Sequence, residues 1–276
     1  MYRRHFGLNE APFGMTPNPA FFYSGNTRGE MLAALLYAVT HGEGIVKVTG
    51  EVGSGKTMLC RMLERALPPR VDAIYLVNPS LRPEDVLYAI AGELNLDVAG
   101  LRTDAVLRRL HAELIDKHAA GRQVVLLVEE AQAMPLDTLE EIRLLTNLET
   151  SHHKLLQIVL FGQPELDASL ELPSMRQLKE RITHSFAVPR MEVALIPAFL
   201  ACRLEAAGHR GPALFEADAV RQIAFVSQGI VRRINILADK AMLAAFADDA
   251  ATVQGRHARA AIRDSAFGRA PRGRRG

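Results

Sequence analysis

Short apolar runs alternate with amphipathic stretches through the middle of the chain. Apolar runs bounded by turn residues predict strands, and the stretches between them carry apolar residues at helical spacing. The predicted strands are "IVKV" (45–48), "DAIYLV" (72–77), "QVVLLV" (123–128), "LLQIVLFGQ" (155–163) and "HSFAVPR" (184–190). Because these strands are almost continuously apolar, we expect an α/β fold whose mostly parallel sheet is covered by helices on both faces.

Helical patterns lie between the strands and then take over completely. In the α/β region, helices are predicted at 30–39, 58–67, 82–96, 103–121, 136–149 and 175–182. From Leu195 to Phe267 the pattern is helical only, with segments at 197–208, 216–229, 231–250 and 254–267. Gly208 and Gly229 stand where helices should end. This region predicts a small C-terminal α-helical lid domain.

The N-terminal segment, to about Asn26, follows neither pattern. "APFGMTPNPAFFYSG" is too broken for a helix and too aromatic for a disordered linker, so we expect an ordered arm packed on the body. The run Phe21-Phe22-Tyr23 is expected to pack there, with contact between adenine and Tyr23 or a neighbouring residue as the alternative. The predicted division is 1–40 for the arm and first helix, 41–190 for the α/β domain, 191–267 for the lid and 268–276 for a flexible Arg-rich tail.

Composition and charge are those of a globular, cytoplasmic protein. None of the 276 residues lies in an apolar run that could cross a bilayer, and the N-terminus lacks the apolar core of a signal peptide. Cys60 and Cys202 belong to no metal-type cluster, and His152-His153 lacks further ligands. The net charge is +2, but the tail holds four arginines and no acid, so the remainder is slightly acidic. This balance argues against a broad nucleic-acid-binding face.

The stretch "VTGEVGSGKTMLC" carries the strongest chemical signal. Gly50 to Thr57 reads G-x-x-x-x-G-K-T, the P-loop pattern, between a predicted strand and a predicted helix. Glycines let successive backbone N–H groups turn inward around phosphates, and the helix that follows adds the positive end of its dipole. Lys56 can reach the β- and γ-phosphates of ATP, and the Thr57 hydroxyl can bind Mg²⁺. The predicted nucleotide-binding residues are Gly50, Glu51, Val52, Gly53, Ser54, Gly55, Lys56, Thr57 and Met58.

Two acids and an amide end the next apolar strands. Glu129 and Glu130 follow "VVLLV", at the edge where ligands bind in open parallel sheets. Glu129 is predicted to hold Mg²⁺ through water, and Glu130 to polarise the attacking water. Gln163, one strand later, either contacts the γ-phosphate or orients the water, or is a turn residue before a proline.

Four arginines are candidates for contacts with the phosphates. Arg176 and Arg181 lie in "MRQLKERI", and in a ring or dimer one of them could reach a neighbouring subunit's nucleotide as an arginine finger. Arg232 and Arg233 begin a lid helix, from which one guanidinium could return over the phosphates. A single arginine on a helix is more often a solvated surface residue.

The order of several motifs resembles one known group. "HFGL", "PF", "TPNPAFFY", "GEGIVKVTGEVGSGKT", "EEAQAMP", "LLTNLE", "LLQIVLFGQPEL", "LKERI" and "GIVRRINILADKAMLAA" are together similar to the AAA+ ATPases of the general secretion pathway protein A type. Within that group the sequence resembles in particular the ATPases of mannose-sensitive haemagglutinin (type IV) pilus biogenesis. The resemblance runs from about Tyr2 to Phe267. The aromatic arm and "VLFGQPEL" are more specific to this group than the P-loop is.

The resemblance implies an AAA+ module, a RecA-like α/β domain with a helical lid and ATP between them and between subunits of an ATP-dependent oligomer. It places the N-terminal arm near the adenine. The implied role is to energise or gate the assembly of a cell-envelope machine, a type IV pilus or a type II secretion system, with partners at the inner membrane. It assigns Walker A to Gly50–Thr57, Walker B to Glu129 and Glu130, sensor 1 to Gln163, the finger to Arg181 and sensor 2 to Arg232.

The sequence departs from this group at two motifs. Glu129 replaces the usual Asp of Walker B, which puts the hydrolysis rate in question. The lid motif Gly229-Ile230-Val231-Arg232 lacks the usual proline, so Arg232 and Arg233 both stay open as sensor 2. Longer relatives continue into a membrane span and a peptidoglycan-binding domain, so membrane contact is expected through partners or the tail. The alternatives are a DNA-associated AAA+ helper, a nucleotide switch or scaffold with little hydrolysis, and a P-loop kinase, for which no acceptor site is visible.

Overall fold

Five parallel strands form a single sheet in the order β2-β3-β4-β1-β5. The computed structural model describes residues 2–42, 44–76, 78–150 and 153–266. The strands are β1 (Ile45–Thr49), β2 (Val71–Leu76), β3 (Gln123–Val128), β4 (Leu156–Gly162) and β5 (Ile182–Ala187). The predicted α/β fold with a parallel, helix-covered sheet is therefore confirmed. The last strand begins and ends earlier than predicted, and Val77 of the second predicted strand lies outside the described residues.

Helices precede, separate and follow the strands. They are α1 (Tyr2–His5), α2 (Arg28–Thr40), α3 (Lys56–Ala66), α4 (Pro83–Glu93), α5 (Thr103–Ala119), α6 (Leu136–Leu145), α7 (Pro164–Leu170), α8 (Arg176–Glu180), α9 (Ile196–Ala206), α10 (Ala217–Ser227), α11 (Val231–Ala247) and α12 (Gly255–Arg263). The sequence did not predict α1 or α7. The four predicted lid helices are present as α9 to α12, and Gly208 and Gly229 have φ of +99° and +73° where helices end. No helix in the described ranges combines the length and the apolar composition needed to cross a bilayer.

The chain divides into two compact units. Residues 30–50 and 59–188 form the sheet unit. Alternate β3 residues point to opposite faces of the sheet: Val124, Leu126 and Val128 pack into one hydrophobic cluster, and Val125 and Leu127 into another. Both faces of the sheet are therefore buried, which explains the continuous apolar runs in the sequence.

The second compact unit, the helical unit, comprises residues 1–29, 51–58 and 189–276, described as far as residue 266. The arm residues Phe6, Phe13 and Phe21 share one hydrophobic cluster with the C-terminal helices. Arg203 of α9 donates from Nε to the Pro12 carbonyl oxygen at 2.6 Å and lies among three phenyl rings. Burial lowers the pKa of Arg203 to about 10. The described arm residues thus pack against the C-terminal helices. The four-part sequence division stays a prediction, and the predicted tail at 268–276 lies outside the described residues.

Candidate functional site

The P-loop has the backbone that the glycine pattern predicts. It follows β1 and enters α3, and Gly53 and Gly55 have φ of +77° and +107°, a region that glycine adopts at little cost. The Ser54 N–H donates to the Glu51 carbonyl oxygen, as does the Lys56 ammonium, both at 3.1 Å. Lys56 and Ser54 are buried. A tight glycine loop at the N-terminus of an eleven-residue helix is suited to bind an anion.

Three arginines of the helical unit hold this loop. Arg28 donates from Nη2 to the Ser54 carbonyl oxygen at 3.2 Å, and the Arg232 backbone N–H donates to the Gly53 carbonyl oxygen at 3.0 Å. Arg190 donates from Nη2 to Glu51 Oε1 at 3.4 Å. Arg232 therefore meets the P-loop through its backbone, and its side chain is exposed. Arg233 is half-buried and donates from Nη1 to Gln228 Oε1 at 3.3 Å.

The carboxyl ends of β1, β3 and β4 lie at one edge of the sheet. Gly50 is the first P-loop residue, and its N–H donates to the Gly162 carbonyl oxygen at the end of β4 at 3.2 Å. Glu129 and Glu130 follow β3 at the same edge, and Glu130 has a left-handed φ of 55°. Glu129 is half-buried and Glu130 is exposed. Parallel pairing thus brings the predicted acids to the edge from which the P-loop starts.

A pair of glutamines holds the Glu130 carboxylate. Glu130 Oε2 accepts from Gln163 Nε2 at 3.0 Å and from Gln132 Nε2 at 2.5 Å. Gln132 Oε1 in turn accepts from the Gln163 backbone N–H at 2.9 Å. The structure therefore brings together Glu130 and Gln163, two predicted site residues. The sequence analysis missed Gln132, although the motif "EEAQAMP" contains it.

The surroundings of Glu129 include the thiol of Cys60. Cys60 is fully buried, and burial first, then the charge of Glu129, raises the pKa of its thiol well above the ordinary range. Cys60 packs in the hydrophobic core of the sheet unit. Arg61 lies over the Tyr75 ring at 5.1 Å. Glu129 thus interacts electrostatically with two residues of α3, Cys60 and Arg61.

The two arginine-finger candidates differ in their surroundings. Arg181 is half-buried and donates from Nη1 to the hydroxyl of Thr146 at 2.6 Å within the same chain. The Arg176 side chain is exposed and donates from Nε to Glu180 Oε1 at 3.0 Å. Neither contact assigns a finger, and both arginines stay candidates.

The remaining candidates have structural surroundings. Phe21 is buried, and the Tyr23 ring lies edge-on to Phe199 at 5.8 Å, so the predicted packing is confirmed for these two residues. The His153 ring lies 5.1 Å from the His118 ring, and His152 lies outside the described residues. Within the described ranges no three His, Cys, Asp or Glu residues are grouped to hold a metal.

A parallel five-stranded sheet with a glycine loop after β1 and acids after β3 defines the P-loop NTPase class. Residues 39–170 match the family described as "AAA domain", so this part of the chain is an AAA domain. The chain is 44% identical over 250 residues to General secretion pathway protein A of Aeromonas hydrophila. This match confirms the resemblance to that group seen in the sequence. It covers 90% of the chain and 45% of the relative, so the chain spans less than half of that protein.

Solved structures share the fold at low sequence identity. The ORC2 protein of Aeropyrum pernix, solved as ADPNP-ADP complexes, has a TM-score of 0.67 at 15% identity, covering 93% of this chain and 71% of that one. The RuvB Holliday junction branch migration motor of Thermotoga maritima has a TM-score of 0.58 at 16% identity, covering 88% and 70%. These likenesses show the fold alone. The nearer resemblance to pilus ATPases and the DNA-associated alternative both stay predictions.

Proposed function

We propose that this chain binds ATP at Gly50–Thr57 and hydrolyses it. The observation that carries the proposal is the P-loop conformation, with Gly53 and Gly55 at positive φ and Lys56 opening α3. The backbone N–H groups of Gly53, Gly55 and the first residues of α3 surround the phosphates in this proposal, and the Lys56 ammonium exchanges the Glu51 carbonyl for the β- and γ-phosphates.

Glu130 is the residue we propose to polarise the attacking water. Its carboxylate oxygen accepts two amide hydrogen bonds, from Gln132 and Gln163, which fix its direction at the carboxyl edge of the sheet. A carboxylate held in one direction can accept a proton from a water molecule placed against it. Gln163 then serves both as the sensor 1 residue and as a support for Glu130.

Mg²⁺ accompanies ATP in this proposal. The candidate donors are the Thr57 hydroxyl and the Glu129 carboxylate, and an all-oxygen donor set is what Mg²⁺ prefers. Glu129 acts through water in this proposal. The ion would neutralise charge on the β- and γ-phosphates.

Self-association completes the proposed site. An arginine finger, Arg181 or Arg176, comes from a neighbouring subunit, and Arg232 is the sensor 2 residue of the same subunit, with Arg233 as its alternative. The relative's name places it in a general secretion pathway. We extend this to a cytoplasmic ATPase that energises or gates a secretion or type IV pilus machine, through partner proteins at the inner membrane.

Equilibrium binding of a fluorescent ATP analogue with Mg²⁺ tests the first step. Lys56→Ala should weaken binding by at least tenfold, since a direct charged contact with the phosphates is lost. The control is Lys154→Ala, a lysine before β4 at the opposite edge of the sheet, which should bind as wild type does. Equal binding by the two variants, or no binding by the wild type, would refute the nucleotide site.

A further inference from the structure

We infer that Arg28 is a positioning residue of the nucleotide site. Its buried guanidinium ties the P-loop to the segment 189–192 and provides a positive charge beside the loop, which strengthens binding in proportion to the charge of the nucleotide. This inference rests on the proposed binding of ATP at the P-loop.

The contacts of Arg28 join two separate segments of the helical unit. Arg28 is the first residue of α2 and is only 7% exposed. Its Nη2 donates to the carbonyl oxygens of Ser54 and Pro189, both at 3.2 Å. Ser54 lies in the P-loop, between Gly53 and Gly55, and Pro189 begins the segment that leads into the C-terminal helices. One side chain therefore fixes both backbones.

The backbone before Arg28 is strained. Asn26 and Thr27 are consecutive non-glycine residues with left-handed φ of 56° and 64°. A left-handed φ is costly for a β-branched residue such as Thr27 and persists only where the surroundings hold it. The Asn26 side chain supplies that hold: its Nδ2 donates to the Arg190 carbonyl oxygen at 3.0 Å, and its Oδ1 accepts from the Glu192 N–H at 3.3 Å. The strained turn thus delivers Arg28 to the P-loop and is locked to segment 189–192.

The Arg28 charge has no carboxylate partner in the described part of the chain. Both of its acceptors are backbone carbonyls, and burial lowers the pKa of the guanidinium. Its Nη1 and the Ser54 Oγ are buried without a hydrogen-bond partner among the described residues. A buried cation that lacks an anion is costly, and the P-loop beside it is built for polyanions. Bound phosphates would supply the missing negative charge.

Two roles for Arg28 predict different patterns of nucleotide affinity. A purely structural anchor would shape the P-loop equally for every adenine nucleotide. Its loss would therefore weaken the binding of AMP, ADP and ATP by one common factor. A positive charge beside the loop interacts more strongly as the negative charge of the nucleotide grows. Its loss would therefore weaken the binding of ATP most and the binding of AMP least. Lysine would keep the charge and lose one of the two bonds.

Titration of the full chain with AMP, ADP and a non-hydrolysable ATP analogue tests the inference. Arg28→Met should weaken the binding of the ATP analogue by about tenfold, the binding of ADP by less, and the binding of AMP by about twofold or less. Arg28→Lys should keep the ATP-to-AMP affinity ratio within about threefold of wild type. The control is Arg203→Met, which removes another deeply buried arginine of the helical unit, one that contacts Pro12, not the P-loop.

The outcomes separate this inference from the nucleotide site itself. An equal loss for all three nucleotides in Arg28→Met, or no loss, would overturn the charge role. If Arg28→Met does not fold, Arg28→Lys decides: a collapsed ATP-to-AMP ratio in a folded lysine variant would overturn the inference. Failure of the wild type to bind any of the nucleotides would instead refute the proposed function.

Discussion

The backbone N–H of Arg232 donates a 3.0 Å hydrogen bond to the carbonyl oxygen of Gly53. A Cβ atom on Gly53 would lie 2.5 Å from the Cβ of Arg232, so the two backbones meet as closely as glycine allows. The start of α11 is thereby held against Gly53 of the P-loop. This contact links the conformation of the P-loop to that of the C-terminal helices within the helical unit.

Gly53→Ala should both destabilise the protein and weaken ATP binding. The added methyl group collides with Arg232 and occupies a φ of +77°, a combination we expect to cost about 1–3 kcal/mol of unfolding free energy. Chemical denaturation and nucleotide titration measure the two effects. The control is Gly92→Ala inside α4, where a Cβ meets open space and alanine should stabilise by up to about 1 kcal/mol. A Gly53→Ala variant as stable as wild type would contradict the close approach.

Gln132→Leu should lower ATP turnover while leaving ATP binding unchanged. Gln132 contacts Glu130 and the Gln163 backbone, so its loss frees the carboxylate to adopt unproductive directions. We expect a reduction of about tenfold, below the 10²–10⁴-fold loss typical of removing a general base, as in Glu130→Gln. Steady-state turnover at saturating ATP measures it.

The partner variant Gln163→Leu provides the matched comparison for Gln132→Leu. Both amides hold the same carboxylate oxygen. The fold-loss of ATP turnover in the double variant should therefore be smaller than the product of the two single fold-losses. Strict additivity would show that the two glutamines act independently and would contradict their joint hold on one carboxylate oxygen of Glu130, whereas unchanged turnover in Gln132→Leu would remove Gln132 from the site.

The two cysteines should differ sharply in reactivity. Burial raises the thiol pKa of both, but Cys60 is fully buried beside Glu129, whereas Cys202 is half-buried on α9. Because the thiolate is the reactive form, a thiol reagent at mildly alkaline pH should label Cys202 first and Cys60 only on unfolding. Cys202→Ser should abolish the early labelling, and denaturant should expose both thiols. Labelling of native Cys60 at the rate of Cys202 would contradict its burial.

Asp72 should make stability depend on pH in the acid range. Hydrogen bonds from Arg122 and Lys117 lower the pKa of the Asp72 carboxyl below its ordinary value. A lowered folded-state pKa stabilises the fold above the unfolded pKa, about 4, and this stabilisation disappears as pH falls through the folded value. Asp72→Asn should therefore lower the free energy of unfolding by about 0.5–1 kcal/mol at neutral pH and by less near pH 3. The effect is small because water screens a partly exposed ion pair.

Urea unfolding across that pH range measures the Asp72 effect. The control is Asp116→Asn, an exposed residue of α5 without an ion pair among the described residues. If the difference in free energy of unfolding between Asp72→Asn and wild type stays constant down to acid pH, the lowered pKa of Asp72 is contradicted.

Local patterns predicted most of the sheet and the P-loop, and long-range contacts account for what was missed. The runs around Val125 and Ile158 are apolar because both sheet faces are buried, a property visible residue by residue. Helix α7 is only seven residues long, and its signals, Pro164 at the first position and Glu165 in the first turn, also fit a simple turn. Short helices take their stability from packing rather than from propensity.

The contacts of the candidate site depended on tertiary structure. Gln132 approaches Gln163 only because β3 and β4 pair in parallel, across a separation of 31 residues. Arg28 precedes Ser54 by 26 residues, and nothing in "NTRGE" indicates that its side chain reaches Ser54. Pattern identifies the chemical groups, whereas strand pairing and backbone strain decide which of them meet.

ATP turnover per subunit, measured over a range of protein concentrations, tests the central claim most directly. Glu130→Gln and Arg181→Ala are run beside the wild type, with Arg176→Ala as the alternative finger. We predict that wild-type turnover per subunit rises with concentration and that Glu130→Gln and one of the two arginine variants reduce it by at least about a hundredfold. Binding of ATP with turnover at background at every concentration would contradict hydrolysis and favour a nucleotide switch.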